Sequence, residues 1–318
     1  MSYELKDISV VIPSYNNLEY LKLVYQSIRD ISDDIEIILY ADGCDDGTEE
    51  WMRKLKHINT ITHIYDTRIG HTILYDYGFQ TASRPIIGIL HADMVVGHNF
   101  FDNIIKYIDS RKIVCGTCIE PPLHPEGGEK IIKDFGMYPS EFRADEFNQF
   151  TKDITINNEG DTTEGIFAPW FLLKDEYFEL IGGHDTIYAP YGYEDSDIFS
   201  RMALADFTFI QSRDALVYHF TQRGHKWTKG VGVENDGYRE QMEKTRKLYI
   251  RKFGTEPIFD YNHKPLPIPK YNIGLVLYNA DNHLLEFLEP YFTNVYINND
   301  LPYQYENKVK NINEELSN

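Results

Sequence analysis

The chain has 318 residues, 42% of them hydrophobic and 25% charged, which is enough for one large domain and a smaller appendage. Its formal net charge of −19 argues against a nucleic-acid binder and against a general binder of anionic membranes. A phosphate-bearing ligand would therefore need local positive charge, most simply from a metal ion.

Two features bear on location. No segment reaches the apolar length of a membrane span, and residues 1–7 have no signal-peptide hydrophobic region. The three cysteines, Cys44, Cys115 and Cys118, are an odd and sparse set that suggests a reducing compartment. Cys115 and Cys118 have redox or zinc spacing, but without a second pair they are better interpreted as strand residues. We expect a cytoplasmic protein, with peripheral contact at the inner membrane surface left open.

The first hundred residues alternate strand and helix patterns. Short apolar runs predict strands at 8–13, 35–42, 60–66 and 85–93. Helical spacing predicts a helix from residue 18, another capped by Thr48 and a third near 71–82. The apolar face of the second helix would carry Trp51, Leu55 and Ile58. This alternation predicts an α/β fold whose mostly parallel sheet is flanked by helices on both faces.

Polar residues follow three of the predicted strands. PSYN follows the first at 13–16, DGCDDG follows the second at 42–47, and HAD ends the fourth at 91–93. Each segment alone is ordinary, since Asp and Gly favour turns. Ligands of parallel sheets bind at the carboxyl ends of the strands, so the three together predict one crevice.

Five motifs occur in a characteristic order: SVVIPSYNNLEYL, ADGCDDGTEEW, LHADMV, LIGGHD and GYEDSDIFSRM. This set resembles the GT-A-fold glycosyltransferases, closest to the inverting enzymes of family 2, over roughly residues 7–225. The resemblance implies a Rossmann-like GT-A sheet, a nucleotide-sugar donor, a divalent cation and an inverting displacement. We expect a catalytic domain at 1–255, with a nucleotide-sugar-binding half at 1–119 and an acceptor-binding and catalytic half at 120–255.

The resemblance assigns the nucleoside site. Asp42 matches the aspartate that accepts a hydrogen bond from the uracil imide, so a UDP-sugar is the expected donor. The alternative is a turn or capping aspartate, and Ala41 replaces the first member of the usual acidic pair. The segment that borders the base or phosphate contains Arg68 and Gly70. The loop that lies against the nucleoside corresponds to Pro13, Ser14 and Tyr15.

His91-Ala92-Asp93 resembles the D-x-D element of the family, in which alternate residues of an extended segment hold the donor ribose and the metal. Asp93 matches the aspartate that commonly ligates Mn²⁺ or Mg²⁺. His91 replaces the first aspartate; it can ligate metal or donate to the donor, but a lone histidine beside a strand is more often structural. The second expected metal ligand is His219, which falls where the family often recruits a histidine.

Further donor contacts are expected downstream. His225 and Lys226, with Arg223, lie in a basic stretch that would screen the diphosphate, although a solvated loop is the alternative. The resemblance places Gly165 and Trp170 near the donor sugar.

The acceptor side needs a base, because inverting transfer removes a proton from the attacking hydroxyl. Asp195 matches the base of the family, and Glu194 matches the neighbour that binds acceptor or donor hydroxyls. Asp197 lies four residues before Arg201, the spacing of a helical ion pair, so we interpret it as structural. Tyrosine rings stack well on sugars, and the two that precede the acidic pair, Tyr191 and Tyr193, are the expected acceptor contacts.

Residues 256–318 change in character, with several prolines and no recognisable motif. This C-terminal extension could cover the acceptor cleft, form a homodimer or touch a membrane. The predicted function is metal-dependent, inverting transfer of glucose, galactose or an N-acetylhexosamine from UDP to a hydroxyl of a glycan or lipid. The alternatives are a noncatalytic binder of nucleotide sugars or glycans, and a sugar nucleotidyltransferase, which would want a glycine-rich basic loop that IPSYNNLEY does not provide.

Overall fold

A computed structural model describes residues 3–221, 237–278 and 280–298. The strands are β1 (Ile8–Ser14), β2 (Glu36–Asp42), β3 (Thr60–Tyr65), β4 (Ile86–Ile89), β5 (Met94–Val96), β6 (Lys112–Glu120), β7 (Lys130–Ile132), β8 (Thr162–Thr163), β9 (Trp170–Leu173), β10 (Thr208–His219), β11 (Gly274–Tyr278) and β12 (Asn294–Asn298). The helices are α1 (Leu18–Ile31), α2 (Thr48–Lys54), α3 (His71–Thr81), α4 (Phe100–Ile105), α5 (Ala144–Asn157), α6 (Lys174–Glu176), α7 (Glu194–Leu204), α8 (Tyr238–Phe253) and α9 (Asn282–Leu288). Shorter 3₁₀ or π turns span Leu5–Asp7, Pro139–Glu141, Tyr177–Ile181, Thr186–Tyr188 and Glu289–Tyr291.

One large sheet has the strand order β3-β2-β1-β4-β9-β6-β10-β5, with β7 added to β6 and β8 to β10. The strands β1 to β4 are parallel to one another, whereas β9 and β5 run antiparallel to their neighbours. Every residue of β1 and β2 is buried, as expected for apolar strands covered on both faces. The predicted α/β fold with a mostly parallel sheet is confirmed.

Two predicted elements end earlier than expected. The second helix stops at Lys54, so Leu55 and Ile58 lie beyond it, and Ile58 is 92% exposed. Its N-cap is Gly47, and the carboxylate of Asp46, just before it, accepts from the backbone N–H and the hydroxyl of Thr48. Thr48 is therefore the first helical residue rather than the cap.

The predicted strand at 85–93 is also interrupted. β4 ends at Ile89, and the chain then turns, with the N–H of Met94 donating to the carbonyl of His91 at 3.1 Å. Residues 91–93 thus form a turn between β4 and β5 instead of the extended segment that the sequence pattern predicted. This turn aims both polar side chains into the crevice at the carboxyl end of the sheet.

Other expectations about single elements are confirmed. Cys115 and Cys118 are buried, free thiols within β6. The helix predicted from residue 18 is α1, and its buried residues Leu21, Val24 and Ile28 form its apolar face. No helix in the described ranges is both long and apolar enough to cross a bilayer.

The chain after α8 packs back on the large sheet before it forms a small unit of its own. The N–H of Gly128 donates to the carbonyl of Tyr261, and the N–H of Ile166 donates to the carbonyl of His263. Beyond this stretch, β11 and β12 pair in parallel, with α9 between them in the chain. The first residues of the extension therefore pack against loops of the part of the chain that forms the large sheet.

Candidate active site

A cleft of about 600 Å³ opens at the carboxyl ends of β1, β2 and β4 and is closed on the opposite side by the start of α7. This volume lies in the range of small-molecule sites. The structure brings most residues expected from the sequence into this one cleft: Pro13, Ser14, Tyr15, Asp42, Arg68, His91, Ala92, Asp93, Tyr191, Tyr193, Glu194, Asp195 and His219.

Three expected donor contacts do not line the cleft. Trp170 is fully buried in β9, where its ring packs against Phe79 and Tyr177, so its placement at the donor sugar was wrong. Gly165 lies under the backbone of Asn262, which leaves no approach for a sugar. Gly70 is the N-cap of α3 and packs closely against Pro190. It therefore supports the cleft without lining it. In each case tertiary packing determines where the residue lies, and the motif alone does not reveal that packing.

The basic stretch Arg223, His225 and Lys226 lies outside the described residues. The proposal that His225 and Lys226 screen the diphosphate therefore stays a prediction.

His91, Asp93 and His219 form a cluster whose ligand atoms all lie within 4.8 Å of one another. Strand pairing explains the cluster, because β10 runs antiparallel to β5 and sets His219 opposite Met94, the residue after Asp93. Two imidazoles and one carboxylate are a donor set that suits a divalent transition-metal ion and leaves coordination positions for a ligand. His91, which the sequence interpretation did not count among the metal ligands, belongs to this set.

Glu120 orients His219. Its carboxylate lies 2.9 Å from Nδ1 of His219, and because a carboxylate only accepts, Nδ1 carries the proton. Nε2 then faces Asp93 at 3.6 Å as the ligand atom. Burial raises the pKa of Glu120, but His219 and the buried Lys130 outweigh it and hold that pKa at about 2. A carboxylate behind a ligand histidine is a frequent support of metal sites.

The sequence interpretation missed Glu120 because it ends an apolar strand pattern. The parallel register of β6 and β10 pairs Ile119 with Tyr218, and so places Glu120 beside His219. The spacing of residues in the sequence does not predict this strand pairing.

Asp42 is buried and has both carboxylate oxygens engaged. Oδ1 accepts from the N–H of Ile69 at 2.6 Å, and Oδ2 accepts from the N–H of Gly70 at 2.9 Å. The structural role considered as an alternative, a turn aspartate, is therefore present. Each oxygen keeps a second lone pair, and Asp42 still lines the cleft, so contact with a base remains sterically open.

Arg68 lies between two aromatic rings of the cleft. Its guanidinium carbon is 3.9 Å from the ring centroid of Tyr15 and 5.0 Å from that of Tyr191. The first ring belongs to the loop after β1 and the second to the segment before α7. Arg68 thus connects the loop after β1 with the segment before α7 through cation–π contacts.

The acidic pair begins α7. Tyr193 adopts a left-handed conformation with φ 64° and lets the chain turn into the helix. Glu194 and Asp195 follow in the first turn, where the positive end of the helix dipole favours carboxylates. Asp197, in contrast, is fully buried and accepts from Arg201 at 2.7 Å, as the structural interpretation predicted.

The two carboxylates of the pair have opposite electrostatic surroundings. Oε1 of Glu194 lies 2.6 Å from Nε2 of His71, and this imidazole outweighs the effect of burial and lowers the pKa of Glu194. Burial and the neighbouring Glu194 raise the pKa of Asp195 to about 7. A carboxylate with such a pKa is suited to accept a proton near neutral pH.

Aromatic rings of the extension and of the loop before β9 line one side of the cleft. Phe259 and His263 stack at 4.0 Å between ring centroids, and Phe167 lies 5.5 Å from His263 and 6.4 Å from His219. The sequence interpretation found only several prolines and no motif in the extension, and so missed Phe259 and His263. Their spacing shows no motif that could have revealed the contact.

Residues 9–179, more than half of the chain, match the family described as "Glycosyl transferase family 2". The acidic pair and His219 lie beyond the matched residues.

Curated relatives carry related names. "Uncharacterized glycosyltransferase YfnE" of Bacillus subtilis (strain 168) is 23% identical over 66% of this chain and 64% of its own length. "Validoxylamine A glucosyltransferase" of Streptomyces hygroscopicus subsp. jinggangensis (strain 5008) is 21% identical over 65% of this chain and 54% of its own. The chain thus spans about half to two thirds of the length of these relatives.

Among solved structures, GalNAc-T7 with UDP, GalNAc and Mn²⁺ superposes with a TM-score of 0.53 at 14% identity, over 77% of this chain and 47% of that chain. At this identity the similarity concerns the fold.

Proposed function

The chain belongs to glycosyl transferase family 2, and from this premise we propose that it transfers a hexose from a UDP-sugar to a hydroxyl of a glycan or lipid acceptor. The transferred sugar would be glucose, galactose or an N-acetylhexosamine, and the anomeric carbon would be inverted. The observation that carries the proposal is that the His91, Asp93 and His219 cluster and Asp195 line the same cleft.

The cation, Mn²⁺ or Mg²⁺, would be held by His91, Asp93 and His219. When bound, it neutralises charge on the diphosphate leaving group. Glu120 keeps His219 in the tautomer that ligates. The mixed imidazole and carboxylate set suits Mn²⁺ better than Mg²⁺, which prefers oxygen ligands.

The donor nucleoside would lie along Pro13, Ser14 and Tyr15, with Arg68 beside the base or phosphate. Asp42 supports this floor by holding the backbone of Ile69 and Gly70, and its remaining lone pairs would accept from the uracil imide. Uracil thus remains the proposed base.

The acceptor would lie against Tyr191 and Tyr193 and within reach of the acidic pair. Asp195 would take the proton of the attacking hydroxyl, and Glu194 would hold sugar hydroxyls. Phe259 and His263 line the same cleft, which supports a role of the extension in covering the acceptor. A reducing compartment such as the cytoplasm suits the free thiols of Cys115 and Cys118.

A donor panel tests the proposal. The protein is incubated with UDP-, GDP- and CDP-sugars and Mn²⁺, and released nucleotide and transferred sugar are followed by mass spectrometry. We expect turnover with one or more UDP-sugars and an anomeric configuration in the product opposite to that of the donor. Donor binding without any release of nucleotide would favour a noncatalytic binding protein instead.

The base assignment is tested by Asp195→Asn, which keeps shape but cannot take up the proton. Turnover should fall by ~10²–10⁴-fold, while donor affinity measured by titration calorimetry stays near normal. Asp102→Asn, an exposed position on α4, is the matched control and should retain full turnover. Normal turnover in Asp195→Asn would remove Asp195 from the mechanism.

A further inference from the structure

His71 has no role in the function proposed above, yet it lines the cleft at the first position of α3. Its Nε2 lies 2.6 Å from Oε1 of Glu194. That distance is short for a hydrogen bond between nitrogen and oxygen and is typical of a charge-assisted one. The side chain of Glu194 is 9% exposed and that of His71 is 21% exposed, so water screens the pair weakly.

The second oxygen of the Glu194 carboxylate, Oε2, is in a different environment. Oε2 is buried and has no hydrogen-bond partner among the described residues. A buried, half-satisfied carboxylate needs a compensating positive charge to remain ionised. Among the described residues, His71 is the side chain within hydrogen-bond distance that supplies it.

Glu194 and Asp195 are consecutive and line one cleft, so their like charges compete. Two such carboxylates tend to share one proton unless a cation separates their titrations. The other titratable or charged groups that face this set are Arg68 from the loop after β3, Tyr75 from α3, Asp93 from the turn before β5, His184 from the loop before α7 and His219 from β10. Of these groups, His71 makes the direct contact with the pair.

The geometry points to His71 as a positioning residue: its imidazolium fixes Glu194 as a carboxylate and thereby leaves Asp195 as the group that exchanges a proton with the acceptor. This inference rests on the proposed transfer reaction and deepens it. Burial lowers the pKa of His71, but Glu194 outweighs burial and raises it, in agreement with an imidazolium at this position. The positive charge of His71 also lowers the pKa of Asp195.

Replacing His71 by glutamine separates the charge from the hydrogen bond. The amide of His71→Gln can still donate to Glu194 but carries no charge. The pKa of Asp195 should then rise, so the acid limb of the profile of kcat/KM against pH, recorded at saturating Mn²⁺, should move up by about one unit or more. Turnover on the alkaline plateau should stay within a few-fold of the unmodified protein. His98→Gln, the same change at an exposed histidine, should leave the limb in place.

A measurement on the protein without substrate gives an independent readout. In histidine NMR titrations, the His71 signal, assigned with His71→Gln, should titrate above the free-histidine value of ~6.5. In Glu194→Gln the same signal should titrate at a lower pH than in the unmodified protein.

The outcomes separate the inference from the proposed function. An equal loss of rate at every pH in His71→Gln, or a His71 signal that titrates at or below the free value, would overturn the positioning role. If the unmodified protein neither transfers nor hydrolyses any donor, the transfer reaction is wrong, and the NMR titration still decides whether His71 is the cation that holds Glu194.

Discussion

Three aspartates in the cleft have different surroundings, and these surroundings suit each side chain to a different role. Asp42 accepts from two backbone N–H groups and fixes a loop. Asp93 faces two imidazoles in the cluster that we propose as a cation site. Burial and the neighbouring Glu194 raise the pKa of Asp195 to about 7. A carboxylate with such a pKa is suited to take up a proton near neutral pH.

Substitution of Glu120 tests the proposed cation site without changing any of the three ligand residues. Glu120→Gln weakens the acceptor of the His219 Nδ1 proton, so the ring is held less firmly and the ligand nitrogen becomes less basic. Affinity for Mn²⁺, measured by titration calorimetry, should fall by about 10–100-fold, the usual effect of losing such a support. Glu129→Gln is the matched control, because Glu129 also lies near Lys130, at 3.7 Å, but has no contact with His219. Equal losses in both variants would point to general disturbance around Lys130 instead.

The expected residues that the structure brings into the cleft are mostly carried by ordered motifs at strand or helix ends. Asp93, Glu194 and Asp195 are examples, since chain order alone brings strand ends to one edge of the sheet. Glu120 and His71 escaped prediction because their importance depends on strand register and on contact between α3 and α7. Trp170 was misplaced because an aromatic residue in an apolar run fits a sugar rim and a buried strand equally well.

At the scale of elements, the segment between β3 and α3 joins the loop after β1 to the segment before α7. Asp42 holds its backbone from β2, and Arg68 contacts Tyr15 and Tyr191. Gly70 has φ 103°, and any Cβ there would collide with the backbone of Pro190, just before Tyr191. Close packing at this point fixes the spacing of the two halves of the cleft.

Gly70→Ala should therefore destabilise the protein more than backbone strain alone explains. Gly182 also has a positive φ, 78°, but with ψ 16° it is left-handed helical, and an added Cβ would meet nothing within 4 Å. Gly182→Ala therefore measures the strain of a left-handed residue without a collision. We expect Gly70→Ala to lower the free energy of unfolding by roughly 1–3 kcal/mol more than Gly182→Ala, because the collision with Pro190 and the less accessible backbone of Gly70, with ψ 143°, both add to that strain. Chemical denaturation of both variants measures this difference. Equal losses would mean that the loop before Tyr191 moves aside freely.

The alternation of strands and helices was predictable because apolar runs and helical spacing are local properties of the chain. Where the prediction failed, local pattern and tertiary geometry disagreed. The run at 85–93 is apolar throughout its first part, yet the chain turns after Ile89 so that β5 can pair antiparallel with β10. The helix from Thr48 ends at Lys54 although apolar spacing continues to Ile58, which remains exposed.

At the scale of the whole molecule, the acidic composition extends into the cleft. Arg68 is the only lysine or arginine among the described residues that line it, whereas five carboxylates do so: Asp42, Asp93, Glu194, Asp195 and Glu256. A diphosphate entering such a cleft meets repulsion unless a cation intervenes. The expectation of a metal ion, first suggested by the net charge of −19, is thus supported by the local charge of the cleft.

Thermal unfolding with Mn²⁺ and UDP tests this expectation. A ligand that binds only the folded state stabilises it by about 2.7 kcal/mol at a hundred times its Kd. Mn²⁺ with UDP should therefore raise the unfolding temperature clearly, whereas UDP alone should raise it little. Asp93→Ala, His219→Ala and His91→Ala should each abolish most of the shift. If the shift persists in His91→Ala, the metal ligands are Asp93 and His219 alone, as the sequence predicted.

The same shift should depend on pH, because His219 must be neutral to ligate. Burial lowers the pKa of His219, but Asp93 and Glu120 outweigh burial and raise it. In the metal-free protein a raised histidine pKa stabilises the fold below the unfolded pKa, and this contribution disappears as pH rises through the folded value. Mn²⁺ must displace that proton, so its stabilising effect should be small near about pH 6 and grow toward about pH 8. A shift of equal size at both pH values would contradict ligation through His219, and the Asp102→Asn variant, measured in parallel, should follow the pH dependence of the unmodified protein.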